Sequence, residues 1–228
     1  MNLDRTVQNT DVDVVQLDLP GLLDPTNDTY GSFYVAYEFF NAALFDGALP
    51  GCLFTMQRRR RRSRGYFSHS RFNHRLDGEE IVDEIALNPQ TFSDRSDREI
   101  ISTAVHEMVH QWQFHFGKPS RRGYHNKEWA AKMVEVGLIP SHTGEPGGKQ
   151  TGQAVTHYIE RGGSYDTKWR ELEATGVRLD YEDREALRPE KPRKEKYCYI
   201  CPRCGLHMWG KSGVIDLIIH GGCSERML

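Results

Sequence analysis

Apolar side chains recur at helical spacing in two long stretches of the chain. In residues 32–45 they repeat every three or four positions, and Gly47 then ends the pattern. A second stripe follows Ser96 and Glu99, which have the spacing of a helix-opening capping box, and it ends before Gly117. These patterns predict two packed α-helices.

Three shorter apolar segments are bounded by turn residues. Residues 53–57, 65–67 and 81–87 each lie between Gly, Asn, Asp or Pro, which predicts a small meander of β-strands. A further helix is expected over residues 126–136, whereas residues 144–166 are rich in Gly and predict an ordered loop. Together the segments predict an α+β fold with a helix-rich body and a short sheet.

The segments without such patterns divide the chain. Residues 1–30 are polar and broken by Pro and Gly, so we expect a loosely attached lead-in there. Residues 31–183 form the main domain, and the charged, Pro-containing residues 184–196 predict a linker. Residues 197–228 form a Cys-rich module. A chain of 228 residues has room for both parts.

The net charge of the chain is only −2, so the total charge does not indicate what kind of partner the protein binds. No apolar run reaches membrane-spanning length, and the first residues lack a signal-peptide pattern, so we expect a cytoplasmic protein with no membrane partner. Of five Cys residues, all but Cys52 fall within the last 31 residues. In such a compartment this crowding indicates metal binding rather than disulfides.

An HExxH motif lies on the second predicted helix. Four helical residues advance by about 400°, so His106 and His110 lie one turn apart on one face and can bind one metal ion. Glu107 projects beside them, where its carboxylate can accept a proton from an activated water. We interpret the motif as a catalytic zinc site. The alternative, a structural zinc or a hydrogen-bonded His pair, fits less well because structural sites favour four protein ligands.

A catalytic zinc usually has three protein ligands, and four residues compete for the third position. His115 falls on the far side of the helix that carries the motif. Glu128 and Glu135 lie outside the pattern that usually carries an acidic third ligand. His125 is better placed, because it follows a loop whose Gly and Pro allow the chain to reverse toward the helix.

Four features occur in the order that is typical of SprT-like zinc metallopeptidases. They are residues 85–88 (IALN), the HExxH motif, residues 123–125 (GYH) and the Cys-rich tail. The chain resembles this family over residues 33–225, although Asn126 stands where Gly is frequent. The resemblance implies a zincin-like protease fold with His125 as the third zinc ligand.

The resemblance also implies the reaction and the class of substrate. Zinc would lower the pKa of a water molecule to about 7 and polarise the scissile carbonyl, while Glu107 takes the proton and delivers it to the leaving amine. Tyr124, His142 and His157 are candidates for stabilising the oxyanion. Because the Spartan-type proteases of this family act on proteins trapped on DNA, the resemblance implies DNA-associated or DNA-crosslinked proteins as substrates.

The Cys-rich tail has the ligand spacing of a zinc ribbon. Cys201 and Cys204 form one ligand pair, and His220 and Cys223 form the other. Members of the resembled family often have four Cys in this ribbon, so His220 would replace one of them. Cys198 is the alternative ligand to His220. The site predicts a second, structural zinc.

A strongly cationic segment interrupts this otherwise anionic chain, because residues 58–75 contain eight Arg and no acid. On a strand, these side chains would alternate between faces and form at least one cationic row that can contact DNA or another polyanion. The alternative is a solvated edge strand protected against aggregation. The predicted nucleic-acid-binding residues are Arg58, Arg59, Arg60, Arg61, Arg62 and Arg64.

The sequence therefore predicts a zinc-dependent endopeptidase with a zincin-like helical domain, a short sheet and a C-terminal zinc ribbon, and it predicts one catalytic and one structural zinc. The partners expected are protein substrates and DNA. The rival hypothesis is a DNA-binding or transcription-associated module with an idle protease site. The intact Glu107 argues against idleness.

Overall fold

The computed structural model describes residues 24–58, 63–184, 196–211 and 218–228. These residues form four α-helices and several small β-sheets, so the mixed α+β composition agrees with the prediction. No helix in the described ranges is long and apolar enough to cross a membrane.

The chain divides into two compact units, residues 1–186 and 187–228. The division falls inside the predicted linker, of which residues 185–195 lie outside the described part of the chain. The same holds for residues 1–23 of the predicted lead-in.

The first helix, α1, spans Pro25–Leu44 and begins earlier than predicted. The side chain of Asp24 caps it by accepting a hydrogen bond from the backbone N–H of Asn27 at 3.0 Å. Pro25 occupies the first turn, where a missing N–H costs nothing and the fixed φ suits a helix. The expectation that the lead-in extends to residue 30 is therefore wrong, since this proline starts a helix rather than breaking one.

A three-stranded sheet follows, and its topology differs from the predicted meander. Strand β3 lies in the middle, with β1 parallel on one side and β2 antiparallel on the other. Five consecutive residues of β3 are buried, and a continuously buried strand takes the centre of a sheet. The bounds are Cys52–Met56 for β1, Gly65–Asn73 for β2 and Ile81–Leu87 for β3.

Helix α2, Asp97–Phe116, packs against β2 and β3. Its predicted capping box is confirmed. Glu99 accepts a hydrogen bond from the backbone N–H of Ser96 at 2.8 Å, and Ser96 Oγ accepts one from the Glu99 N–H at 3.4 Å. Most of the helix is buried, which holds its side chains rigidly against the sheet.

The remaining elements of the first unit follow α2 in the chain. Helix α3 spans Lys127–Glu135, and strands β4, Leu138–Ser141, and β5, Thr156–Ile159, form an antiparallel pair. Helix α4 spans Ser164–Glu173. The prediction of an ordered loop over residues 144–166 is wrong at its C-terminal end. β5 and the start of α4 lie there. Gly162 and Gly163 form the turn between this strand and this helix and do not indicate a long irregular loop.

One hydrophobic core joins the helices and the sheet of the first unit. Each of these elements contributes at least one side chain that is at most 1% exposed. Examples are Phe40 of α1, Ile85 of β3, Met108 of α2, Met133 of α3 and Tyr165 of α4. Shared burial of this kind fixes the position of α2 relative to the strands and of α3 relative to α2.

The second unit contains two small antiparallel sheets. Its core consists of Tyr199, Cys201 and Met227, with Ile218 and Cys223 packed against them. The strands are β6 Lys196–Ile200, β7 His207–Lys211, β8 Ile219–His220 and β9 Glu225–Arg226. Within the described residues of this unit the core is small, and small cores are commonly supplemented by a cross-link or a metal.

Candidate functional site

The HExxH motif occupies the buried middle of α2. His106 is 9% and Glu107 is 6% exposed, while His110 is half-buried. The imidazole centroids of His106 and His110 are 5.2 Å apart. One helical turn thus brings two nitrogen ligands to the same face, as the spacing predicts.

His125 reaches this face from the segment that precedes α3. Its backbone exchanges two hydrogen bonds with Gly152, of 2.8 and 3.0 Å. Its imidazole Nδ1 also donates to the Gly152 carbonyl at 3.1 Å. This contact leaves Nε2 as the nitrogen with a free lone pair. Gly152 has a φ of +137°, a conformation that side chains rarely adopt, so glycine is required at this position.

The structure brings the three predicted histidines together. One nitrogen from each of His106, His110 and His125 lies within 4.8 Å of the others. Trp129 of α3 packs against all three imidazoles, with centroid distances of 4.9, 5.2 and 4.2 Å respectively. The indole ring is fully buried, and its contacts restrict the orientation of the three imidazole rings.

The competing third ligands are engaged elsewhere. His115 Nε2 lies 2.7 Å from Asp83 Oδ2. Glu128 accepts hydrogen bonds of 2.7 Å from the Gln113 side chain and from the Lys118 backbone. Glu135 pairs with Lys132 at 2.7 Å. In the described part of the chain, none of the three belongs to the histidine group.

The electrostatics of the three histidines suit a metal cation. Burial lowers the pKa of His110 to about 3, and it lowers the pKa of His106 well below its ordinary value, with the neighbouring imidazoles adding to the effect. Burial also lowers the pKa of His125, against the opposing hydrogen bond to Gly152. Neutral imidazoles keep the lone pair that zinc requires, so the residues present fit this ion.

The carboxyl of Glu107 lies under the start of β2. Burial raises its pKa to about 8, against an opposing backbone hydrogen bond at Phe67. A Cβ added at Gly65 would lie 3.3 Å from Glu107 Oε1, which shows how closely the strand covers the carboxyl. A buried carboxyl with raised proton affinity is suited to accept a proton during a reaction.

The three candidates for the oxyanion group have different surroundings. Both imidazole nitrogens of His157 are occupied, one at 3.1 Å by His106 Nδ1 and the other at 2.9 Å by Ser102 Oγ. His157 therefore has no N–H to offer an oxyanion. His142 is exposed, and its Nδ1 accepts the Lys149 N–H at 2.8 Å. The guanidinium of Arg121 lies over the ring of Tyr124, with its central carbon 5.2 Å from the ring centroid.

Sequence reasoning missed three supporting residues. The position of Ser102, one helical turn before His106, could have indicated a contact between the two. The position of Trp129, four residues after His125, was a weaker indication. Nothing in the sequence indicated the contact of Gly152 with His125, since 27 residues separate the two.

A second potential metal group lies in the smaller unit. Ligand atoms of Cys201, Cys204, His220 and Cys223 lie within 4.8 Å of one another. Cys204 Sγ is 3.4 Å from His220 Nδ1. Cys198, the alternative ligand, does not belong to the group, and its sulfur contacts His207 Nδ1 at 3.5 Å. Three thiols and one imidazole fit a four-coordinate structural zinc.

Only the ends of the predicted arginine cluster are described, because residues 59–62 lie outside the described part of the chain. Arg58 follows β1, and its side chain is 69% exposed and pairs with Asp183 at 2.7 Å. Arg64 is exposed and precedes β2, where its carbonyl accepts the Asn88 N–H at 2.8 Å. Neither lies within a strand, so the cationic row expected for a strand does not extend to them.

Comparisons with known proteins identify the family of the chain. A Salmonella typhimurium protein described as "uncharacterized protein in mucB 3'region" is 49% identical over 61 residues, which are 27% of this chain and 80% of that protein. No solved structure matches the chain significantly. The model of the SprT-like family matches residues 34–148, about half of the chain, and this segment contains all three clustered histidines and Glu107. The resemblance predicted from the motifs is thereby confirmed, and the chain belongs to the SprT-like family.

Proposed function

We propose that this protein is a zinc-dependent endopeptidase in which His106, His110 and His125 hold the catalytic zinc and Glu107 is the general base. The observation that carries the proposal is the cluster of three imidazoles, two of them buried and one half-buried, with nitrogens within 4.8 Å of one another, next to the buried carboxyl of Glu107. Three nitrogen ligands with a position left open are typical of a catalytic rather than a structural zinc.

The chain's own residues supply the proton chemistry. When bound, zinc would provide Lewis acidity that polarises a carbonyl and makes a water molecule acidic near neutral pH. Glu107 accepts a proton at its carboxylate and returns it to the leaving amine, which requires a proton affinity close to the working pH. Glu107 is only 6% exposed, so bulk water has little access to this carboxyl.

The second zinc has a structural role in this proposal. Cys201, Cys204, His220 and Cys223 would hold it, and all four of its coordination positions are filled by protein. The core of the small unit contains three buried side chains among the residues that the structure describes, so metal binding would supply much of its folding free energy.

The substrate class we propose is protein that is associated with DNA or crosslinked to it. The support is the run of arginines up to Arg64, together with the family to which the chain belongs. Arg64 is joined directly to Gly65, whose Cβ position is 3.3 Å from Glu107 Oε1. DNA that contacts the arginines would therefore hold an attached protein close to the general base.

The test compares the wild-type protein with Glu107→Gln on a protein crosslinked to DNA and on the same protein free. The wild type should cleave the crosslinked protein, whereas Glu107→Gln should keep the wild-type zinc content and lose cleavage, because an amide cannot take the proton. Elemental analysis measures the zinc. DNA binding without any Glu107-dependent cleavage would instead support the rival hypothesis of a DNA-binding module with an idle site.

A further inference from the structure

His157 lies directly behind one of the three clustered histidines. It belongs to β5, is 8% exposed, and stands outside residues 34–148, which match the family model. Its Nδ1 is 3.1 Å from His106 Nδ1, and its Nε2 is 2.9 Å from Ser102 Oγ. Ser102 and His106 are one turn apart on α2, so a single imidazole bridges both.

The direction of the hydrogen bonds follows from counting protons, beginning at Ser102. Its hydroxyl has one proton and donates it to the Glu99 carbonyl at 2.8 Å. The oxygen of Ser102 therefore accepts from His157, so the proton of the neutral His157 imidazole is on Nε2. A neutral imidazole carries only one N–H, which leaves His157 Nδ1 as an acceptor.

The same count fixes the tautomer of His106. Because His157 Nδ1 accepts, His106 Nδ1 is the donor and carries the proton. The lone pair of His106 is then on Nε2, which is the nitrogen left to join those of His110 and His125. The opposite direction of hydrogen bonding would put a proton on this nitrogen and prevent it from binding a metal.

We propose that His157 is a positioning residue that fixes the tautomer and orientation of His106 for metal binding, with Ser102 fixing His157 in turn. This arrangement parallels that of His125, whose Nδ1 donates to the Gly152 carbonyl. Each of these two ligands thus has its second nitrogen held by a hydrogen bond, a feature that raises metal affinity. The inference rests on the proposed zinc site.

The test uses three substitutions of His157 in the full chain. Asn places its amide oxygen near the position of Nδ1 and can still accept from His106. Gln places its amide near the position of Nε2, so it can satisfy Ser102 but not His106. Leu removes both contacts. Zinc affinity, measured by competition with a chromogenic chelator, should fall about 10- to 100-fold for His157→Gln and His157→Leu. It should fall by less than about threefold for His157→Asn.

A second measurement does not depend on any variant. Nitrogen-15 NMR of the wild-type imidazoles should show the proton of His106 on Nδ1, both without metal and after titration with zinc. A proton on Nε2 in the metal-free protein would overturn the inference, as would a Leu or Gln variant that binds zinc like the wild type. Thermal unfolding of the metal-free variants checks folding. A wild-type protein that binds no zinc at this site would instead overturn the proposed function.

Discussion

At the scale of single residues, the glycine that begins β2 lies against the central strand and the Glu107 carboxyl. A Cβ at Gly65 would lie 2.8 Å from the Ala86 carbonyl oxygen, 3.0 Å from Thr103 Cγ2 and 3.3 Å from Glu107 Oε1. The first of these atoms belongs to the backbone of the central strand and cannot move away without disturbing the sheet. Glycine therefore allows the strand to approach the Glu107 carboxyl.

Gly65→Ala should destabilise the first unit by about 1–3 kcal/mol and displace the Glu107 carboxyl, so cleavage should fall as well. Chemical denaturation and the cleavage assay measure the two effects. Gly31→Ala is the matched control, because its added Cβ on helix α1 meets nothing within 4 Å. The control should raise stability by about 0.5–1 kcal/mol through helix propensity. Equal stability of Gly65→Ala and the wild type would contradict the close approach.

The assignment of the third ligand is also a question about single residues. His125→Ala should lose the zinc of the first unit, because it removes one of three ligands. Glu128→Ala should keep this zinc and lose only stability, since Glu128 is bonded to Gln113 and Lys118. Elemental analysis of both variants decides, and the reverse pattern of zinc loss would show that the third ligand is Glu128.

At the scale of elements, α4 shows how one carboxylate attaches a helix that has no side-chain cap. Asp166, in its first turn, accepts the Gly162 N–H at 2.8 Å. It also forms ion pairs with Arg98 of α2 and with Arg170, the latter at 3.0 Å. These contacts join α4 to the helix that carries the histidines.

The contacts of Asp166 predict a dependence of stability on acid. The Gly162 hydrogen bond, followed by Arg98 and Arg170, lowers the pKa of Asp166 below its ordinary value. A carboxyl whose folded-state pKa is lowered stabilises the fold above its unfolded-state pKa of about 4, and this contribution is lost as the pH falls toward the lowered value.

Asp166→Asn should therefore be less stable than the wild type at pH 7, and the difference should shrink as the pH falls below about 4. Denaturant midpoints across a pH series measure it. Lys168→Gln is a suitable control, because Lys168 on the same helix pairs with the exposed Glu171. Curves for Asp166→Asn and the wild type that stay parallel down to pH 3 would contradict the prediction.

At the scale of the whole molecule, each of the two compact units contains its own potential metal-binding group. Cys204→Ser should lose one zinc per chain and unfold the small unit, because the core in the described part of that unit is small. The zinc and the helical circular dichroism of the first unit should remain. Cys198→Ser is the matched control and should keep both zincs, since Cys198 lies outside the cluster. Loss of one zinc in Cys198→Ser as well would make Cys198 a ligand in place of His220.

Coupling of DNA binding to proteolysis, which we propose for the arginine cluster, would also be a property of the whole molecule. Replacing residues 59–61 by Ala should flatten the slope of log affinity for DNA against log salt by about two to three. Cleavage of a DNA-crosslinked protein should fall, while cleavage of a free peptide should not change. An equal loss of charge at the exposed Arg122, Lys149 and Arg161 is the control. An unchanged slope for the first variant would leave the cluster as solvated surface.

Local parts of the fold were predictable because their partners lie within a few residues. The capping box of α2 needs only Ser96 and Glu99, and helix geometry alone puts His106 and His110 on one face. The start of α1 was missed because a proline such as Pro25 can either end regular structure or begin a helix. Only the hydrogen bond that caps the helix at Asp24 shows that it begins one. The order of the strands was missed because pairing depends on which strand the core covers.

The sequence by itself determined the family, the helix that carries the motif, and the kinds of side chain at both potential metal groups. Only the tertiary structure decided which distant residues complete the site. Gly152 contacts His125 from 27 residues away, and His157 of β5 contacts His106 of α2 from 51 residues away. No spacing rule connects such residues, because their contact depends on how whole elements pack rather than on any local period.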